Sequence, residues 1–457
     1  VEDARLLTGG GRYLSDLDIA HTAAAVFIRS VHAHAQLGSV ARQRAAAAPG
    51  VLAVYTGADF AARGIGAIPF RQLPPNPLAV PLGAPPRMPL ATDSVRYVGD
   101  TVALVVADTL ARALDAAELI EIEYVPIAPA ADPRAAVREG APDIWPERPG
   151  NVAGVWEEGD AAAVEAVFAG AAHVAAIEVI NNRLVPTSLE PRGALCEYDA
   201  ATGRYTLHVG CQMPHLLKEH LARDVLHVAE QDLRIVVPDI GGGFGAKVFC
   251  YPEYAAVAVA AGDLGRPVRW IGTRSDAFLS DIHGRDQVNR AELALDADGK
   301  FLALRVRSLG NVGAYLSFQG GFIPTISSFR VLTGVYDIPL AHGRCECVLT
   351  TTGPVDAYRG AGRPEAVYVL ERLVDVAAGE TGIDPVELRR RNMVPAAAMP
   401  YTSAMGVTID SGDFARVMAQ AMVAHDWEDF ATRRRDAEAR GRLAGRGAAG
   451  GRGADRA

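Results

Sequence analysis

Long apolar runs, cysteine frames and a cationic leader are missing from this 457-residue sequence, and lysine is scarce. No stretch approaches the roughly 20 apolar residues that a membrane-spanning helix needs. The opening residues, VEDARLLTGG, have neither the basic start nor the apolar core of a secretory signal, so a cytoplasmic protein is expected. The five cysteines, Cys196, Cys211, Cys250, Cys345 and Cys347, are scattered and odd in number, which excludes a disulfide framework or an iron–sulfur frame on this chain. Cys345 and Cys347 alone are close, and alternate residues on a strand account for them. Lysine is nearly absent: only Lys218, Lys247 and Lys300 stand among 45 basic residues, a usage typical of GC-rich coding. A net charge of −9 argues against nucleic acid as the principal partner. What is present is 49% hydrophobic and 22% charged, enough to bury cores in two or three domains and to exclude disorder throughout.

Along the first 130 residues, strand-like and helix-like stretches alternate. The run from Asp100 to Asp108 is apolar and β-rich, Thr109 is a natural N-cap for a helix running to about Leu119, and residues 121–125 alternate like a half-buried strand. Residues 69–89 are rich in Pro and Gly and predict a long loop, and residues 142–150 predict a linker. Strands are then expected at 205–209, 233–237, 267–271, 287–295 and 302–309. Helices are expected at 214–227, at 251–261 closed by Gly262 or Gly265, and at 364–379, with Asp384 and Pro385 opening a short one. The fold class is α+β.

The segment Gly241-Gly-Gly-Phe-Gly245 lies between an apolar strand and an apolar helix. Such glycines free backbone N–H groups to face an anion such as a pyrophosphate. They also serve a plain strand-to-helix turn, and neither the Rossmann spacing nor the P-loop Ser/Thr after Lys247 is present. A second glycine-rich turn, residues 356–365, carries Arg359 and Arg363. These can donate to a polar ligand, or cap the loop through Asp356 or Glu365. Gln212 follows a strand end, where a polar side chain either faces a site or supports the fold. The histidines form no triad or metal set. His32 and His34 would share a strand face, and His215 and His220 sit five apart on one helix, which misaligns them for one ion.

Taken together, these segments resemble one family, the large molybdenum-binding subunit of the molybdenum hydroxylases (the xanthine dehydrogenase and aldehyde oxidase family), in its carbon monoxide dehydrogenase-like branch. The motifs that carry the resemblance occur in the family's order. Arg5-Leu-Leu-Thr-Gly-Gly-Gly-Arg-Tyr13 with Asp16, Arg29-Ser-Val-His-Ala-His-Ala35, Pro49-Gly-Val-Leu-Ala-Val-Tyr-Thr-Gly57 with Asp59, and Val95-Arg-Tyr-Val-Gly-Asp100 resemble its α/β hammerhead domain. Glu190-Pro-Arg192, Gln212, residues 241–245 and Ala357-Tyr-Arg-Gly-Ala-Gly-Arg-Pro-Glu365 resemble its first molybdopterin-binding domain. The resemblance, from about residue 4 to 414, implies a hammerhead domain at 1–135, a linker at 136–150 and the first half of the molybdopterin-binding region at 151–430, with the second half absent.

It further implies that Gln212, Phe244 and Arg359 are catalytic, with Gln212 hydrogen-bonding the apical oxo ligand of molybdenum. Gly242, Gly243, Phe244, Gly245, Arg359, Gly360 and Ala361 would touch the cofactor, molybdopterin cytosine dinucleotide, and no metal would be held by side chains of this chain. Electrons would pass to 2Fe-2S clusters and FAD on separate small and medium subunits. Three departures qualify the implied activity. Gly360 stands where carbon monoxide oxidisers carry a copper-binding Cys, so carbon monoxide is excluded. Val248 stands where purine oxidisers carry a Glu, which leaves an aldehyde or an aromatic N-heterocycle as substrate. The general-base Glu of the family lies in the second half, so the chain is expected to be inactive alone.

Both ends of the chain are unusual. It begins with Val1, which suggests a missing leader. Residues 431–457 become an Arg/Gly/Ala tail with eight arginines against three acids, expected to be disordered, and the shift in composition suggests a frameshift or truncation near 440–447. The remainder is therefore more acidic than −9 and is expected to expose an apolar surface meant for the missing half. A non-catalytic cofactor-binding or assembly module, a pseudogene fragment, and an unrelated dinucleotide enzyme are the alternatives.

Overall fold

A computed structural model describes residues 2–451; Val1, and the end of the tail from 452 on, lie outside the described residues. The N-terminal strands are β1 (Ala23–Arg29), β2 (Ala35–Ala41), β3 (Val51–Thr56), β4 (Ser94–Val95), β5 (Thr101–Ala107) and β6 (Glu121–Pro126). They are followed by β7 (Val152–Gly159), β8 (His173–Asn181), β9 (Gly193–Asp199), β10 (Arg204–Val209), β11 (Leu233–Val236), β12 (Val268–Ile271), β13 (Gln287–Leu295), β14 (Phe301–Gly313) and β15 (Leu340–Leu349). Among the described residues a seven-stranded sheet has the order β11-β10-β9-β12-β1-β5-β3, a five-stranded one β7-β15-β14-β13-β8, and a three-stranded one β4-β2-β6.

The large sheet crosses from the N-terminal unit into the second. β1 pairs antiparallel with β5 on one side and parallel with β12 on the other, Ala23 opposite Val268. β5 is buried along its whole length, which is why its run is apolar without alternation. Against this sheet packs the helix Pro252–Leu264, buried through its first ten residues and closed by Gly265 at φ +58°. Local signals hold elsewhere. The Thr109 hydroxyl accepts from Arg112 N, and Asp384 accepts from Val386 N and Glu387 N ahead of the helix Pro385–Asn392. Cys345 and Cys347 are alternate, fully buried residues of β15.

Residues 136–150, which connect the N-terminal strands to β7, pack against the fold as a strap. Trp145 is buried, donates from Nε1 to Ala314 O at 2.8 Å and carries the Arg96 guanidinium 3.4 Å from its ring. Asn151, fully buried, accepts from Ile144 N and donates to Ala136 O and Pro142 O, so the strap's turns are hydrogen-bonded inside the fold. The tail expected to be disordered begins instead with the helix Phe430–Ala439, supported by Arg434–Glu438 at i,i+4. Beyond it Arg446 lies over Trp427 and Phe430, 4.4 Å and 5.0 Å from their ring centres. His32 and His34 lie in the turn between β1 and β2 rather than on a strand, because Ser30 Oγ bonds His32 O and ends β1; the His32 ring meets Tyr124 at 4.8 Å.

The seam between the two units is charged and dry. Arg29, at the end of β1, donates to Glu253 at 2.8 Å and to Asp276 at 2.6 Å. Arg192 donates to the same Glu253 at 3.0 Å and to Asp281, and its guanidinium lies 3.6 Å from the Tyr251 ring. Burial alone would push the Glu253 carboxyl up; Arg192 and Arg29 outweigh it and hold it far below the usual carboxylate range. A value depressed in the folded state means that the stabilisation is present at neutral pH and is lost on acidification. Removing the shared anion would leave each guanidinium a single carboxylate, Asp276 for Arg29 and Asp281 for Arg192, with unfilled donors in a buried seam. Glu253→Gln is therefore expected to cost about 1.5–3 kcal/mol of unfolding free energy, the size of a hydrogen bond between charged groups, read by urea denaturation near neutral pH. A loss within the range of an exposed ion pair, under about 1 kcal/mol, would contradict this account of the seam.

Candidate active site

The site forms where four chain segments meet at the end of β10. Gln212 lies just beyond that strand, and its backbone N donates to Lys247 O at 2.8 Å. Its side-chain carbonyl Oε1 accepts from Gly245 N at 2.9 Å and from Lys247 N at 3.3 Å. With the oxygen held by two N–H donors, the amide orientation is fixed and Nε2, donor only, turns away from the loop with no partner among the described residues. Gly243 is needed for this approach, because a Cβ there would sit 2.5 Å from Gln212 Oε1.

The glycine loop is a strained turn rather than a plain strand-to-helix connection. Phe244 sits at φ +52° with its ring 43% exposed, and Gly245 at φ +103°, where a Cβ would strike Ala357 O. The N–H groups of Gly242, Gly243 and Phe244 meet no acceptor among the described residues. The loop's inner end is pinned by Glu190, whose Oε2 accepts from Gly241 N and from Lys247 Nζ, both at 2.8 Å. Burial lowers the Lys247 ammonium below its ordinary value, and Glu190 partly offsets this.

The second glycine-rich turn joins the first through its backbone: Arg359 N donates to Phe244 O at 2.9 Å. Gly360 at φ +98° and Ala361 at φ +39° carry the turn into the helix Arg363–Thr381. Of the two alternatives for the arginines, neither caps Asp356 or Glu365. Glu365 pairs with Arg285 at 3.1 Å, and Arg285 also donates to Arg359 O at 2.8 Å. Arg363 donates to Gly360 O, while Arg359 is exposed and its guanidinium has no partner among the described residues. The structure therefore brings Gln212, Gly242, Gly243, Phe244, Gly245, Arg359, Gly360 and Ala361 into one cluster. Exposed apolar side chains rim it: Leu189 is 91% exposed and Met213 43%. Leu189 also borders a cleft of about 390 Å³ with Tyr13, Leu14, Pro191 and Ile271.

Sequence reasoning missed Arg285 and the parts played by Asp356, Glu190 and Lys247. The rarity of lysine was the one available signal for Lys247. Asp356 ties the turn to the segment that follows β14: it accepts from Gln319 N and Ala357 N at 2.8 Å and 2.6 Å. Burial without a facing cation pushes its carboxyl up to about 7 despite these donors and Ser317.

The comparisons with known proteins name the class and then the family. A model of the molybdopterin cofactor-binding domain matches residues 144–393, and one of the aldehyde oxidase and xanthine dehydrogenase a/b hammerhead domain matches 8–127. This is a molybdenum-cofactor-binding chain built on a hammerhead domain. It is 34% identical, over 98% of its length, to the nicotine 6-hydroxylase large subunit of Paenarthrobacter nicotinovorans, of which it covers 54%. It is 33% identical to the carbon monoxide dehydrogenase large chain of Hydrogenophaga pseudoflava, covering 93% of this chain and 53% of that one. The crystal structure of quinoline 2-oxidoreductase from Pseudomonas putida 86 superposes with a TM-score of 0.89 at 34% identity, over 96% of this chain and 55% of that one. The chain belongs to the xanthine dehydrogenase and aldehyde oxidase family of molybdenum hydroxylases, on its carbon monoxide dehydrogenase-like side. It spans about half the length of the relatives it matches.

The Asp356 carboxyl generates a pH prediction. Its folded value, about 7, lies above the roughly 3.9 of an unfolded aspartate, so the unfolded chain ionises first and stability falls as pH rises between the two. The wild type is expected to lose stability relative to Asp356→Asn between about pH 4 and about pH 7, followed by urea midpoints. A gap between the two proteins that does not change with pH would contradict the burial of an unpaired carboxyl there.

Proposed function

We propose that this chain supplies the cofactor-facing half of the large subunit of a molybdenum hydroxylase that oxidises an aromatic N-heterocycle or an aldehyde with oxygen drawn from water. The observation that carries the reading is the fixed amide of Gln212. Its carbonyl is consumed by Gly245 and Lys247, so its NH2 is offered outward beside the free N–H groups of Gly242, Gly243 and Phe244. A surface that offers only donors, on a loop too tight for a Cβ at Gly243, suits an oxygen-rich, anionic cofactor. These residues fit molybdopterin cytosine dinucleotide, with Gly360 and Ala361 leaving room on the second turn. Once bound, the cofactor supplies the metal at which the substrate loses two electrons.

The chain's own groups bind and orient. Gln212 Nε2 donates toward an acceptor oxygen of the cofactor, the loop N–H groups hold its anionic part, the Phe244 ring closes one side against water, and Arg359 offers an unpaired guanidinium to the reacting substrate. The absence of a thiol at Gly360 removes the soft ligand that copper requires, and Val248, buried below the loop, offers a purine no hydrogen bond. The chain spans about half the length of the relatives it matches, so full cofactor loading and turnover are assigned to the whole large subunit rather than to these residues alone. Electrons leave through a 2Fe-2S small subunit and an FAD-binding medium subunit, in the cytoplasm.

Two measurements test this reading. Produced alone in a host that makes the cofactor, the full chain is expected to carry molybdenum and releasable cytidine monophosphate far below one per chain. Equimolar amounts of both would favour a self-sufficient binding module. In the assembled enzyme, Gln212→Ala is expected to lower kcat by about 10²–10³, the size seen for loss of one preorganised donor, with KM and molybdenum content held. An unchanged kcat would overturn the role of Gln212.

A further inference from the structure

We propose that Glu190 is a positioning residue that sets the Gln212 amide through a relay of two contacts, a role resting on the reading of Gln212 given above. Gly241 and Lys247 bracket the glycine loop, and one carboxylate oxygen of Glu190 accepts from both: Gly241 N at 2.8 Å and Lys247 Nζ at 2.8 Å. The backbone repeats the link, Glu190 N donating to Gly241 O at 3.0 Å. Gly241 has no room for a side chain, since a Cβ there would collide with Glu190 Cβ.

Lys247 carries the constraint onward. Its side chain is 2% exposed, so the ammonium, cut off from water, needs an anion in place, and Glu190 is the acid that pairs with it. Its backbone is bonded to Gln212 at both ends: Lys247 O accepts from Gln212 N and Lys247 N donates to Gln212 Oε1. The pair passes beside Gly210 at the end of β10, with Glu190 Oε2 and Lys247 Nζ each 3.6 Å from where a Cβ would stand. Glu190 in turn is held by its neighbour but one. Arg192 is locked in the seam by Glu253 and Asp281 and stacked on Tyr251, with Pro191 stiffening the step between them. The tripeptide thus has one end fixed in the core and the other closing the loop on which the Gln212 amide rests.

The test reads the relay without cofactor and then with it. In the full chain, Glu190→Ala is expected to raise amide hydrogen exchange at Gly241, Gly245, Ala246 and Lys247, whose N–H groups have acceptors, at least about tenfold, with β5 and the helix Pro252–Leu264 exchanging as in the wild type. Glu190→Gln, which keeps an acceptor for Gly241 N but loses the ion pair, is expected to fall between. If Glu190→Ala does not fold, Lys247→Met removes the other half of the pair and is expected to loosen the same residues. Unchanged exchange at Gly241, Gly245, Ala246 and Lys247 in whichever variant folds would overturn the proposal. In the assembled enzyme the relay predicts a lower kcat at constant KM for Glu190→Ala, with partial recovery in Glu190→Gln. Loosened exchange combined with an unchanged kcat would leave the relay standing and refute the role of Gln212 instead.

Discussion

Glu253, gripped between Arg29 and Arg192, is the contact on which the arrangement of the site depends. Arg29 belongs to the hammerhead strand β1, Arg192 immediately precedes β9, and Glu253 opens the buried helix that packs on β9 and β12. One carboxylate thus joins three segments far apart in the chain, at a place where the seven-stranded sheet passes from one unit to the other. The pair is not a gain simply because it is charged: three desolvated ions cost free energy that their mutual contacts offset. What it supplies is position. The geometry permits no partner exchange, so β1, β9 and the helix meet in one register.

From that anchor the constraint reaches the chemistry through Glu190-Pro191-Arg192. The glycine loop has few contacts of its own: three of its members, Gly242, Phe244 and Gly245, are at positive φ and three of its N–H groups have no acceptor among the described residues. Such a loop holds its shape because its surroundings over-determine it. Glu190 and Lys247 fix its ends, Gln212 its middle, and the turn at 357–361 its far side through Phe244 O and Ala357. The open donors are the surface proposed to hold the cofactor, and the buried Glu190–Lys247 pair behind them keeps the loop in place.

Much of the fold was legible in the sequence where the signal is local. The apolar run of β5, the Thr109 and Asp384 caps and the alternation at Cys345 and Cys347 each depend on neighbours within a few residues. The site was legible as motifs in order, because the glycine loop, Gln212 and the turn at Arg359 each carry a backbone requirement that restricts residue type. What sequence could not show is pairing over distance: Glu190 meets Lys247 57 residues on, and Arg29 meets Glu253 224 residues on. Composition also could not show that the connection at 136–150 packs as a strap, since the bonds of Trp145 to Ala314 and of Asn151 to Ala136 and Pro142 depend on the fold. The tail was misread because its composition suits disorder, yet Trp427 and Phe430 offer faces on which Arg446 can stack.

The most direct test of the central claim is the structure of the assembled, cofactor-loaded enzyme at a resolution that orders the Gln212 side chain. The account predicts Gln212 Nε2 about 2.9 Å from an acceptor oxygen of the cofactor, with Oε1 still bonded to Gly245 and Lys247. A Gln212 amide that has left those two N–H groups, or one whose NH2 faces protein rather than cofactor, would contradict it.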